Sequence, residues 1–141
     1  AGGGKILQVQ FMTYGTGTSN TSATYAATGL TDAITCAATS SKVLIMGAQY
    51  GVYKSGNVYH GFRLTRGGSS IAVLTDLHNY NNSAEKETTM VSWAYLDSPS
   101  STSELTYALE FASVTGSATI SVNQEAAVAP ISHLTLMEIG A

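Results

Sequence analysis

Charged residues are scarce in this sequence: Asp, Glu, Lys and Arg make up 11% of its 141 residues, against roughly 25% in an average globular protein. Only six of them are Lys or Arg, and the formal net charge is −3. Nucleic-acid binding depends on clustered basic side chains that neutralise phosphates, and the sequence contains no such cluster. The composition therefore argues against a nucleic-acid partner.

Cysteine and long apolar runs are also scarce. Cys36 is the only cysteine, which excludes an internal disulfide bond and a zinc site built from several cysteines. Its apolar neighbours Ile34 and Ala37 predict a buried structural thiol. No segment approaches the ~18 apolar residues that cross a bilayer, and no signal-peptide pattern opens the chain. We expect no membrane segment and synthesis in the cytoplasm of the producing cell.

Small hydroxyl residues take the place of the missing charges. Ser and Thr account for 35 residues, beside 14 Gly and 8 Tyr, and the hydrophobic fraction is 44%. Thr, Tyr, Val and Ile suit the half-buried surface of a pleated sheet. An uncharged polar surface is also easier to bury against a partner than one of lysine and glutamate. The composition predicts a single β-rich domain that assembles into an oligomer.

Alternating apolar and polar residues predict about nine or ten short strands and no helix. The pattern is clearest in residues 5–12 and 104–113, and a tight turn at Gly67 and Gly68 joins strands at 58–66 and 71–74. Residues 24–28 and 33–37 read as two short strands hinged at Gly29, and residues 13–22 read as a loop. The fold class predicted is therefore an all-β sandwich or barrel.

The last strand, residues 131–139, is apolar on both of its faces. Leu134 and Leu136 lie on one face, and Ile131, Met137 and Ile139 lie on the other with His133. A strand that is apolar on both faces needs protein against both. We expect Leu134 and Leu136 in the core and the other face against a second copy of the chain, and the alternative is the opposite assignment of the two faces.

Residues with catalytic or metal-binding chemistry do not form a recognisable motif. No serine lies in a Gly-x-Ser-x-Gly elbow, and no paired-carboxylate motif supports a glycan-cleaving enzyme. Asp76 and His78 stand near Glu85 and Glu87, but such a loop cluster is more often solvated surface than a metal site. We predict a protein that is not an enzyme and holds neither a cofactor nor a metal.

The most polar stretch, residues 78–88, predicts an exposed loop. Its start combines a histidine, a tyrosine and three asparagines, which are residue types that contact sugars by stacking and amide hydrogen bonds. The alternative is an ordinary exposed loop of a β protein. The candidate glycan or receptor contacts are His78, Asn79, Tyr80, Asn81 and Asn82.

Four stretches carry a resemblance to a known family: GGKILQV at 3–9, GFRLTRGGSSI at 61–71, YLDSPSST at 95–102 and LTLMEI at 134–139. Together they resemble small virion structural proteins of tailed phages, especially aquatic ones, which occur as capsid decoration proteins or tail-fibre modules. The resemblance implies a trimeric jelly-roll β-sandwich of about 8–10 antiparallel strands, similar to the tumour-necrosis-factor and C1q heads. In such a fold the first and last strands pair in the inner sheet, whose outer face lines the three-fold axis.

This resemblance organises the expectations for the whole chain. Residues 1–4 would form a flexible Gly-rich leader that docks on neighbouring subunits, and residues 5–141 a single jelly-roll domain. The predicted trimer interface comprises Leu7, Val9, Phe11, Ile131, His133, Met137 and Ile139. The candidates for ion pairs between subunits are Arg63, Arg66 and Glu138.

The expected function is a homotrimeric decoration or cement protein that stabilises the capsid. It would be made in the host bacterial cytoplasm, reside in the virion, and contact the major capsid protein or other virion subunits. The alternative is the head of a tail fibre that recognises a glycan on the host surface. Because the first strand begins so early in the chain, the stand-alone decoration protein is favoured.

Overall fold

The computed structural model describes residues 4–78, 87–115, 118–124 and 130–140. Within these ranges the chain forms ten β-strands, and every strand pair is antiparallel. The strands are β1 (Ile6–Tyr14), β2 (Thr18–Asn20), β3 (Ala26–Thr35), β4 (Lys42–Lys54), β5 (His60–Arg66), β6 (Ser69–His78), β7 (Glu87–Asp97), β8 (Glu104–Ser113), β9 (Ile120–Val122) and β10 (Ser132–Ile139).

The strands are arranged in two sheets. The six-stranded sheet has the order β1-β10-β4-β9-β2, with β7 paired to β4 along the side of this path. The four-stranded sheet has the order β3-β8-β5-β6. The predicted all-β class is confirmed, as is the pairing of the first strand with the last: Val9 lies opposite Met137 and Phe11 opposite Thr135.

One hydrophobic cluster fills the space between the sheets, in a β-sandwich-like arrangement. Alternation along each strand decides which side chains enter it. In β8 the alternate residues Tyr107, Leu109 and Phe111 are fully buried. In β10 Leu134 and Leu136 are fully buried, as the sequence predicted. The core therefore draws one face from each sheet and leaves the opposite faces outside.

The hairpin of β5 and β6 turns at Gly67 and Gly68, where the sequence predicted a turn. Both glycines have positive φ, 55° and 80°. Two successive positive φ angles define the turn whose twist matches that of antiparallel strands. The chain reverses here between the paired residues Arg66 and Ser69.

The prediction of two strands hinged at Gly29 is wrong, because β3 is one continuous strand. Gly29 has a φ of 96°, and the register against β8 shifts between Ala27 and Thr31. These features mark a β-bulge, in which β3 advances four residues while β8 advances two, without ending the strand. A glycine inside a strand pattern signals either a break or a bulge, and here the pairing with β8 maintains the strand.

Two further boundaries differ from those predicted. Residues 13–22, predicted as a loop, contain the end of β1 and the short strand β2, which pairs with β9. Small polar residues such as Thr18 and Ser19 carry no apolar alternation, so only the partner strand reveals this pairing.

The thiol of Cys36 is buried as expected, at 2% exposure. Among the described residues no helix has the length and apolar character to cross a membrane.

Candidate functional site

The outer side of the six-stranded sheet carries an unusual set of side chains. It is formed by β1, β10, β4 and β7, whose registers place their outward residues in rows. One row runs Val9, Met137, Leu44 and Leu96. We refer to a set of outward side chains on these four strands as the neutral face. The set comprises Leu7, Val9, Phe11, Thr13, Leu44, Met46, Ala48, Tyr50, Met90, Ser92, Ala94, Leu96, His133, Thr135, Met137 and Ile139.

None of these side chains is Asp, Glu, Lys or Arg. Lys42, the exposed first residue of β4, lies opposite Ile139 and borders the neutral face. Several are large, apolar and at least half exposed: Phe11 at 63%, and Leu7, Val9, Met90 and Leu96 at 50% each. Single exposed apolar residues are common on protein surfaces, but a contiguous apolar patch marks an interaction site. The neutral face therefore has the composition of an interface.

A groove of about 580 Å³ crosses the neutral face over β10, β4 and β7. Its lining is Met46, Gly47, Ala48, Tyr50, Met90, Ser92, Trp93, Ala94, His133, Thr135 and Met137. The residues Ala48, Ser92 and Ala94 are small, while three methionines supply flexible apolar side chains. The groove is concave, lined by both apolar and uncharged polar groups, and without formal charge.

Packing in the core explains why the sheet has glycine at this point. A Cβ atom at Gly47 would lie 2.5 Å from Cζ2 of Trp93 and 2.5 Å from the carbonyl oxygen of His133. The indole of Trp93, buried at 8% exposure, therefore packs directly against the backbone of β4. Trp93 fills the core side of the sheet at this point, and the small residues Ala48, Ser92 and Ala94 lie on the outer side.

His133 lies between Thr13 and Ala48 on the neutral face. Its ring centroid is 6.1 Å from that of Phe11 on β1 and 6.0 Å from that of Tyr50 on β4. These tilted ring contacts connect three strands across the sheet. They also hold Phe11 at the border of the groove.

The residues predicted as a trimer interface lie together on this face or next to it. Leu7, Val9 and Phe11 project from β1, and the predicted residues of β10 lie beside them, while Ile131 directly precedes β10 and is 64% exposed. Their role between subunits stays a prediction. Sequence reasoning missed the contribution of β4 and β7, namely Leu44, Met46, Met90 and Leu96. Their strands are apolar on both faces, so alternation alone did not show which residues point outward.

The two arginines predicted for contacts between subunits have partners within the chain. Arg63 Nη2 lies 2.7 Å from Glu110 Oε2, and its guanidinium lies 4.3 Å above the ring of Tyr25. Arg66 Nη1 lies 2.6 Å from Asp97 Oδ2. Both arginines belong to the four-stranded sheet. A contact of either with another subunit stays a prediction.

The part assigned to Glu138 in such ion pairs does not fit the structure. Its side chain is 1% exposed on the core side of β10, accepts a hydrogen bond from Gln8 Nε2 at 2.7 Å, and accepts another from the Ala37 backbone N–H at 2.7 Å. The hydroxyl of Ser41 near the carboxylate, followed by Gln8, holds the pKa of Glu138 below its usual value. The Ser41 hydroxyl lowers this pKa through its proximity to the carboxylate, and the two groups do not meet the geometry of a hydrogen bond. Glu138 therefore ties β10 to β1 and to the segment after β3.

A second polar cluster connects the two sheets. Asp97 at the end of β7 accepts hydrogen bonds from Tyr107 Oη at 2.7 Å and from Arg66 Nη1 at 2.6 Å. Burial, and then the hydrogen bond to Asp97, raise the pKa of the Tyr107 phenol. The phenol therefore stays protonated and donates. This cluster is structural, since none of its members lies on the neutral face.

The candidate glycan loop lies outside the described residues, apart from His78. His78 is the last residue of β6, and Asn79, Tyr80, Asn81 and Asn82 lie outside the described residues. Glu85, a member of the metal cluster considered above, also lies outside them. In the part of the chain that is described, no three residues among His, Cys, Asp and Glu are grouped closely enough to hold a metal ion.

Comparison with known proteins adds no relative. No protein-family model matches this sequence, and no curated protein matches it at a significant level. The geometry of the neutral face and the sequence resemblance therefore carry the functional argument.

Proposed function

We propose that this protein is a non-enzymatic structural protein of a phage virion, a homotrimer that decorates or cements the capsid. The observation that carries the proposal is the neutral face, on which Phe11, Val9 and Leu96 are half exposed or more. Burying apolar surface is favourable by about 25 cal/mol per Å². Copies of the chain that cover this face of one another gain this stabilisation.

The absence of formal charge on the face supports assembly with identical copies. Around a symmetry axis the same side chains of each copy come close together. A charged residue there would meet its own like charge, which is unfavourable. The face avoids this repulsion because the positions listed above hold apolar, hydroxyl and imidazole side chains, while Lys42 lies at its border.

The proposed fold is a jelly roll of the type found in tumour-necrosis-factor and C1q heads. Five antiparallel pairs support it, because they nest around one hairpin: β5 with β6, β4 with β7, β3 with β8, β2 with β9, and β1 with β10. From the hairpin outward the first four pairs fall alternately in the two sheets, and the pair of β1 with β10 lies in the same sheet as that of β2 with β9. A long hairpin rolled into two sheets produces such an order. In this fold the neutral face would lie toward the three-fold axis.

Sedimentation of the purified chain at micromolar concentration tests the assembly. We expect a trimer, and a monodisperse monomer would contradict it. Imaging of intact particles then tests the location, with density for the protein expected on the capsid. Binding to host cells or to a glycan, without binding to capsids, would instead assign the protein to the head of a tail fibre.

A further inference from the structure

The neutral face has a projecting part and, beside it, a concave part. The projecting part is the edge strand β1, where Phe11 is 63% exposed. The concave part is the groove, whose far wall is Met90 on β7. Three strand spacings separate β1 from β7, which amounts to roughly 14 Å. Phe11 is therefore too far from that wall to fill the groove of its own chain.

We propose that Phe11 of one copy seats in the groove of a second copy of the chain. This inference rests on the self-association proposed above and names the contact through which it occurs. The groove volume of about 580 Å³ falls within the roughly 300–1,000 Å³ of sites that enclose small ligands. An aromatic side chain with part of its strand fits this space.

The chemistry of the groove suits an aromatic ring. The small side chains Ala48 and Ala94 leave room, and Met46, Met90 and Met137 line the groove around them. Methionine side chains adapt to an inserted group and make favourable sulfur–aromatic contacts. Aromatic anchors that fill apolar pockets are also the residues that dominate binding energy at interfaces.

A second copy suits the groove better than a charged partner does. The groove offers no ionised Asp, Glu, Lys or Arg to pair with an opposite charge. A copy brings its own exposed Phe11, Val9 and Leu7, which are as uncharged as the groove. One docking event therefore removes both the projecting strand and the groove from water.

Cross-linking tests this contact. F11C chains and M90C chains are unfolded together, refolded as a mixture and oxidised, so that a bond between the two sites must join different chains. Disulfides form only when the Cα atoms come within about 7 Å. We expect the F11C–M90C product to dominate. The wild type, whose Cys36 is 2% exposed, is the control for background cross-links.

A matched control uses Val73, which is 62% exposed on β6 of the other sheet. V73C chains mixed with M90C chains should give little product. Equal yields from the two mixtures would overturn the contact, and so would F11C chains that bond mainly to one another. Self-association of the variants without any F11C–M90C bond would also overturn it.

A chain that carries both F11C and M90C tests the Phe11 contact separately from the three-fold assembly. A covalent trimer supports the contact and the three-fold assembly. A covalent dimer supports the contact and contradicts the trimer.

The F11A substitution should also weaken the oligomer and raise its dissociation constant about tenfold or more. The V73A substitution should change this constant by less than about twofold.

Discussion

At the scale of single residues, Gly29 shows how closely two strands approach. Its φ is 96°, and a Cβ atom placed there would overlap the ring of Tyr14. We expect Gly29→Ala to destabilise the protein by about 3 kcal/mol, from left-handed strain and the overlap together. Gly68 has a φ of 80° with nothing within 4 Å of its Cβ position.

Gly68→Ala is therefore the matched control, because it carries the strain without the overlap. We expect it to cost about 1 kcal/mol. Urea unfolding of both variants measures the difference. Equal losses would mean that the Tyr14 ring moves aside and that the approach of the two strands is not tight.

Glu138 makes stability depend on pH. The pKa of its carboxyl is lower in the folded protein than in the unfolded chain. The ionised form is thus stabilised by folding, and this stability is present above the unfolded pKa and is lost as the pH falls through the folded pKa. Glu138→Gln should cost about 1–3 kcal/mol near pH 7, because the Gln8 amide and the Ala37 N–H lose an anionic acceptor.

The difference between wild type and Glu138→Gln should shrink as the solution is made more acidic. Glu104, which is exposed at the start of β8, provides the control, and Glu104→Gln should change little at any pH. Thermal melts from neutral to acidic pH follow both variants. A gap that stays constant over this range would show that the Glu138 charge is not what stabilises the fold.

At the scale of elements, the hydrogen bond from Tyr107 to Asp97 ties β8 of one sheet to β7 of the other. Tyr107→Phe removes the donor, and we expect a loss of about 1.5–3 kcal/mol because the acceptor is a carboxylate. Tyr95 donates to the neutral carbonyl of Ile71 at 3.2 Å. Tyr95→Phe should therefore cost less, about 0.5–1.5 kcal/mol. Chemical denaturation measures the loss of stability in the two variants. A loss for Tyr95→Phe that equals or exceeds the loss for Tyr107→Phe would contradict this ranking.

The strands that were predicted from sequence are those with strong apolar alternation. In β8, alternation identified the strand over residues 104–113. The strand β2 was missed because Thr18 and Ser19 carry no such signal and their pairing with Val122 and Ser121 is distant in sequence. Continuity of β3 through Gly29 likewise depends on β8. Pairing between remote segments overrides weak local preference.

At the scale of the whole molecule, assembly and folding should respond differently to charge on the two outer surfaces. Val9 and Val73 are both exposed valines, at 50% and 62%, but only Val9 lies on the neutral face. Val9→Asp should abolish self-association while the chain still folds, because a buried charge repeated at the interface is unfavourable. Val73→Asp should leave self-association intact. Sedimentation with circular dichroism separates the two effects, and equal loss of assembly in both variants would contradict the interface.

Composition and alternation by themselves determined that this is an all-β protein, that Leu134 and Leu136 share one face of the last strand, and that both faces of this strand need cover. These properties follow from local sequence, because period-two patterning assigns side chains to faces. Only the tertiary structure decided that β4 and β7 extend the outer face, that a groove crosses it, and that Glu138 belongs to the interior. Each of these depends on which strands lie side by side and which face of a doubly apolar strand meets the core, and long-range pairing sets both. The closing strand of the sequence thereby becomes the centre of the neutral face.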